Sequence, residues 1–172
     1  MADFQKVPKL GDEYLYIPFV GAIIERSFQG EKQILVQTRV KKVDVKYSGS
    51  LEIPGGKLRA FEDVYETLRR EVKEECGLEL ISIEGEDKRE SFINREDKSD
   101  LIEPLCVTQM KNGPFIGLIF LCRAEGEPLI KTDETKEAQW MNVSELKKIV
   151  EETPEQIYTA FLAPLKKYIR QV

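Results

Sequence analysis

Glu71, Glu74 and Glu75 stand at positions i, i+3 and i+4 of one segment, with Arg70 before them and Gly77 after. On a helix that spacing puts all three carboxylates on one side of the last turn and a half. Three anions at a helix C-terminus repel one another and oppose the macrodipole, which favours cations there. Something positive must sit among them, and a hard divalent cation held by carboxylate oxygens, Mg²⁺ or Mn²⁺ rather than zinc, meets that need. A solvated helix face laced by Arg69, Arg70 and Lys73 is the alternative reading. The 172-residue chain contains no histidine. That removes Ser-His-Asp and Cys-His nucleophiles, His-ligated zinc and imidazole acid–base steps, and leaves carboxylates, Lys, Arg, Tyr and Cys to carry any chemistry.

The element that positions these residues is a helix predicted from Val64 to Cys76. Asp63 is its N-cap, Glu66 completes a capping box, and Gly77 is the left-handed C-terminal residue. Val64, Tyr65, Leu68, Val72 and Cys76 form one apolar stripe about 120° wide. Solvated acids belong opposite that stripe, yet Glu75 falls about 50° and Glu71 about 90° from its centre. They border the core.

Around this helix the pattern predicts strands at Tyr14–Ile24 and Gln33–Val40 across the polar turn 27–31, and a short strand Leu51–Ile53 closed by Pro54-Gly55-Gly56. Further strands are expected at Leu80–Glu84, Leu105–Met110, Phe115–Arg123 and Trp140–Met141. Phe115–Arg123, apolar almost throughout, is the expected centre of the sheet. Ser144 is placed to cap a helix running to about Glu152. Pro154 opens a last helix with an Ile157, Phe161, Leu165 and Tyr168 face, which Pro164 is expected to kink or split. Strands mixed with three helices indicate an α/β fold with a mixed β-sheet, and the length suits a single domain over 1–172.

The net charge is -5, with 31 acidic and 26 basic side chains. An acidic chain with a pI near 5.1 lacks the basic stripe of a nucleic-acid-binding surface, so no nucleic-acid partner is expected. The excess lies in residues 84–103, where eight acidic groups face four basic ones; this segment reads as a solvated loop or long hairpin connection. Cys76, Cys106 and Cys122 have no metal or disulfide spacing and read as buried small hydrophobes in a reducing, cytoplasmic setting. No run is long enough for a membrane span, and no membrane partner is expected.

Starting at Gly56, the chain gives Gly56, five residues, Glu62, seven residues, then Arg70-Glu71-Val72-Lys73-Glu74-Glu75-Cys76-Gly77-Leu78. This resembles the Nudix box, Gly-x5-Glu-x7-Arg-Glu-U-x-Glu-Glu-x-Gly-U with U aliphatic, and it matches at every defined position. One departure is Phe61, where members of the family often have Gly. The resemblance implies a Nudix-type α/β/α sandwich and a MutT-like hydrolase.

By position, the resemblance implies that Glu71, Glu74 and Glu75 hold Mg²⁺ or Mn²⁺ with the Gly56 carbonyl. Arg70 would orient the glutamates, and Glu62 would in turn place Arg70. Catalysis would rest on Glu74, Glu75 and Arg70, with Glu134 as the base and Glu137 as the alternative, both just ahead of Trp140. The implied reaction is metal-dependent pyrophosphohydrolysis of a nucleoside diphosphate linked to another moiety, or of a nucleoside triphosphate, by water attack at phosphorus. The alternative is a non-catalytic Nudix-like module that senses a nucleotide. A proline or tyrosine that marks some subfamilies about fifteen residues past the box glycine is absent, Phe92 and Ile93 standing there. Phe19, Phe92 and Phe115 are expected in core packing rather than base stacking. The family makes a homodimer a further expectation.

Overall fold

A computed structural model describes residues 7–40, 47–129 and 135–172. Twelve strands are present among the described residues: β1 (Lys9–Leu10), β2 (Glu13–Tyr14), β3 (Ile17–Phe28), β4 (Glu31–Arg39), β5 (Leu51–Glu52), β6 (Gly55–Lys57), β7 (Glu79–Ile83), β8 (Glu90–Asn94), β9 (Asp97–Leu101), β10 (Cys106–Gln109), β11 (Phe115–Glu125) and β12 (Thr135–Asn142). The helices are α1 (Val64–Cys76), α2 (Val143–Glu152) and α3 (Thr159–Ile169).

The main sheet runs β10-β11-β3-β4-β12, with β7 also on β11, β6 on β3 and β5 on β4. Among the described strand pairs of this sheet, β11–β3 alone is parallel. β3 is the strand that curls the sheet: Ile17–Ile24 pair with β11, whereas Glu25–Phe28 pair with β4. Near its start it also takes β6, setting Val20 opposite Gly56. β11 is interior, as its apolar run predicts, but β3 shares the centre with it. The β3–β4 turn is tighter than the pattern suggested, reduced to Gln29 and Gly30, both with left-handed φ.

Alternation along the strands sorts side chains onto two faces. Phe19, Ile23, Ile34, Val36 and Ile119 meet α2 and α3 through Leu146, Val150, Phe161, Leu165 and Tyr168. Val20, Ala22, Ile24, Leu35, Phe120 and Cys122 meet α1 through Val64, Tyr65, Leu68, Val72 and Cys76. The result is the α/β/α sandwich, with two cores separated by a mixed sheet.

Several local expectations are corrected. Tyr14–Ile24 is not one strand; β2 ends at Tyr14 and β3 begins at Ile17. Asn142, not Ser144, occupies the N-cap of α2, and its side chain accepts from Gln33 Nε2 (2.9 Å) instead of closing the helix. Pro154 opens a single 3₁₀ turn, after which Ile157 runs extended and α3 begins at Thr159. Pro164 sits inside α3 without splitting it. Lacking an N–H, it cannot donate to the carbonyl of Ala160; the Thr108 hydroxyl donates to that oxygen from the neighbouring strand (3.4 Å).

The acidic 84–103 segment is a 3₁₀ turn followed by the exposed β8–β9 hairpin, the long-hairpin form of the expectation. Phe92 lies on it 54% exposed, so the expectation of core packing holds for Phe19 but not for Phe92. Phe115 is half-buried against the core. Cys76 and Cys122 are buried, Cys106 is half-buried, and burial raises all three thiols, Cys76 to about 12. Among the described residues no helix is long and apolar enough to cross a membrane.

Candidate active site

α1 begins where Asp63, in extended conformation, accepts from the backbone N–H of Tyr65 (2.9 Å) and Glu66 (3.2 Å). Its side chain does the work of the cap, while Glu66 pairs with Arg69 (3.4 Å). The helix ends at Cys76 on a left-handed Gly77. Its bounds and its two cap residues are those read from the sequence, but Glu66 pairs with Arg69 in place of closing the expected capping box.

The apolar stripe lies on the sheet and carries Glu71 and Glu75 inward with it. Glu75 is 6% exposed, and its Oε2 accepts from the backbone N–H of Gly55 (3.0 Å) and from Gln37 Nε2 (2.8 Å). The Glu71 side chain is 13% exposed, whereas that of Glu74 is 57% exposed and stands at the rim. β6 is what brings Glu71 in: a Cβ placed on Gly56 would lie 2.1 Å from the Glu71 carboxyl carbon. Only a residue with no side chain lets that carboxylate approach the backbone so closely. Gly55 is held as tightly from the other side, its missing Cβ falling 2.2 Å from the Val20 carbonyl oxygen.

Arg70 ties the group together. Its Nε and Nη2 donate to the two oxygens of Glu62 (2.7 and 3.1 Å), while Nη1 donates to Glu71 (2.7 Å) and Glu74 (3.2 Å). The fork geometry of guanidinium suits such a bidentate pair. The Arg70 hydrogen bond holds the Glu62 carboxyl at about 2, well below its ordinary value, and the same partnership raises Arg70.

The positive group beside Glu71 and Glu74 is thus, in this conformation, a guanidinium, while Glu75 accepts from the neutral Gly55 N–H and Gln37 amide. Among the described residues no three carboxylates converge closely enough to enclose a cation. The donor set is nonetheless all hard oxygen, and the cleft that Gly56 opens admits Glu71 to it; in chemistry the residues fit Mg²⁺ or Mn²⁺.

The candidate base Glu134 lies outside the described residues. Glu137 sits with φ 56 at an irregularity of β12. It accepts from the Thr38 hydroxyl (3.3 Å), lies 3.6 Å from Lys136 Nζ, and is 61% exposed at the side chain. Thr38 neighbours Gln37 in β4, but successive strand residues face opposite sides, so this contact does not join Glu137 to Glu75. Phe61, the departure from the box, has φ 66 and a fully exposed ring. A left-handed backbone is why a glycine suits this position.

Sequence reasoning missed three members of this neighbourhood. Gln37 lies on the glutamate side of β4. Glu52, its register partner in β5, is 3% exposed and accepts from Arg39 Nη1 (2.9 Å). Arg39 also stacks over the Tyr158 ring at 4.3 Å. Gln37 directly after the apolar run Ile34-Leu35-Val36 was the available signal.

The site thus sits where a glycine strand is pressed against a carboxylate-bearing helix, in a sheet enclosed by helices. The NUDIX domain family matches residues 16–161, and the chain belongs to that family, as a hydrolase acting on phosphorus-containing anhydrides. Solved structures agree on the fold. A NUDIX hydrolase from Nitrosomonas europaea is similar at 17% identity and TM-score 0.64, over 92% of this chain and 73% of that one. MutT described from Aliivibrio salmonicida and Vibrio cholerae is similar at 22% identity and TM-score 0.58, over 91% and 99%. The NUDIX domain of Shewanella oneidensis NrtR, solved with ADP ribose, is similar at 12% identity and TM-score 0.58, over 98% and 96%. No curated protein sequence matches the chain.

Proposed function

We propose that the chain, as a single domain over 1–172, is a divalent-metal-dependent pyrophosphohydrolase. Its substrate would be a nucleoside diphosphate linked to another moiety, or a nucleoside triphosphate, cleaved by water attack at phosphorus. The observation that carries this reading is the burial of Glu71 and Glu75 against Gly55 and Gly56, which costs desolvation that a merely solvated helix face would avoid. A nucleotide-type ligand is supported by the NrtR domain that holds ADP ribose.

In this reading Glu71, Glu74 and Glu75, with the Gly56 carbonyl, hold Mg²⁺ or Mn²⁺. A bound ion would neutralise the diphosphate and acidify an attacking water. Gly55 N–H and Gln37 keep Glu75 in place. Arg70 orients Glu71 and Glu74, and Glu62 fixes Arg70 through both of its oxygens. Proton removal falls to a carboxylate, because the chain has no imidazole; Glu134 is the proposed base, and Glu137 the alternative. The test is a panel of nucleoside diphosphate derivatives and triphosphates, assayed for phosphate-bond cleavage with Mg²⁺ or Mn²⁺, alongside Glu74→Gln. Cleavage that disappears with chelator and falls steeply in the variant is the expected result. Equal turnover by Glu74→Gln would remove the ligand role, and tight nucleotide binding without turnover by the unaltered chain would favour a sensing module.

A further inference from the structure

Gln37 is completely buried in β4. Its neighbour Glu75 Oε2 already accepts from Gly55 N–H, so that oxygen is an acceptor and the Gln37 group facing it at 2.8 Å is the amide NH₂. The amide orientation follows, and it turns Oε1 away from the carboxylate. There, among the described residues, Oε1 has no hydrogen-bond partner. Buried amide oxygens are almost always paired. Leu35, two residues earlier on the same face of β4, goes into the apolar core under α1, and a leucine at position 37 would continue that core without burying an unpaired oxygen.

Resting on the reading of Glu75 as a cation ligand, we propose that Gln37 is a positioning residue of the metal site. Its NH₂ holds Glu75 in one rotamer, and the unpaired buried carbonyl oxygen on its far side is the cost that this positioning role explains. Such outer partners of ligand carboxylates govern affinity as well as rate.

The experiment is a titration of the metal-free protein with Mn²⁺, followed by the paramagnetic resonance signal of the free ion, on the parent, Gln37→Leu and Glu75→Gln, with a thermal melt of each. Gln37→Leu is expected to weaken Mn²⁺ binding by about 10- to 100-fold, to lower kcat with little change in KM, and to leave the metal-free Tm close to that of the parent, since removing an unpaired buried oxygen offsets the loss of the hydrogen bond to Glu75. Gln37→Met, of similar length and without the amide, replaces it if the leucine variant does not fold. Parent-like Mn²⁺ affinity in the Gln37 variant with loss in Glu75→Gln overturns this inference alone. Parent-like affinity in both removes the ligand reading of Glu75 as well. A metal-free Tm that drops in step with affinity in both Gln37 variants assigns Gln37 a structural role and also overturns it.

Discussion

Arg70 holds three carboxylates with one guanidinium, and a lysine, a single point charge without the fork, cannot reproduce that. Arg70→Lys should therefore lower kcat/KM by about 10- to 100-fold, measured on whichever nucleotide the panel identifies, with a much smaller change in Tm. Gly56→Ala is the sharper case. A methyl group 2.1 Å from the Glu71 carboxyl carbon must displace it, and a carboxyl at the end of a flexible side chain can swing aside at small cost to the fold. Urea unfolding should therefore find little change, whereas Mn²⁺ titration should find weaker binding. Phe61 points the other way. Its ring is exposed and its backbone left-handed, a conformation costing a non-glycine residue about 1–2 kcal/mol. Part of that gain is offset by the greater unfolded-state freedom of glycine, so Phe61→Gly should stabilise the fold by about 0.5–1 kcal/mol in the same assay.

At the scale of elements, the β8–β9 hairpin is fastened to the box helix by charge. Arg89 bridges Asp100 of β9 and Asp63, the N-cap of α1, the latter at 2.7 Å. Arg69 of the helix reaches Glu86 at 2.6 Å. Hydrogen bonds from Ser91 and Arg89 lower the Asp100 carboxyl from 3.8 to about 2. A carboxylate depressed in the folded state contributes stability above its unfolded pKa and loses it as pH falls through the folded one. The Arg89 and Ser91 contacts to Asp100, which close the base of the hairpin, should consequently hold at pH 4 and be lost as pH drops towards about 2. Amide exchange resolved by residue is the measurement: protection in 90–101 should fall across that window before protection in β3 and β11 does. Simultaneous loss everywhere would show that the fastening is not what fails.

For the whole molecule, the two cores are unequal in what they serve. The α2–α3 side closes the sandwich, whereas the α1 side holds the site, since Leu68, Val72 and Cys76 seat the helix that carries all three glutamates. Leu68 is fully buried there. Leu68→Ala should cost about 2–5 kcal/mol in global stability, read from urea midpoints. Below the unfolding transition it should still bind Mn²⁺ within a few-fold of the parent, because no ligand is moved. Loss of binding in the folded variant would mean that seating of the helix, and not only the glutamate set, determines affinity.

The box helix was legible residue by residue. Asp63 and Gly77 are local signals, and the 3.6-residue period placed Glu71 and Glu75 at the core border, where they lie. The family and the sandwich followed from Gly56 to Leu78, because the spacing of that motif records a loop and helix that fold as a unit. Asn142 in place of Ser144, and the unbroken helix through Pro164, were not legible: each was decided by a partner distant in sequence, Gln33 in one case and Thr108 in the other. The same holds at the site. By itself the sequence determined which carboxylates crowd together and that a positive group must join them. Only the tertiary structure decided that Arg70 fills that place beside Glu71 and Glu74 in this conformation, that β6 gives up the side chain at Gly56 to admit Glu71, and that Gln37, 38 residues from Glu75, completes the setting. Local chemistry is written in neighbouring residues; strand pairing, which sets β4 and β6 beneath the helix, depends on contacts that no local pattern encodes.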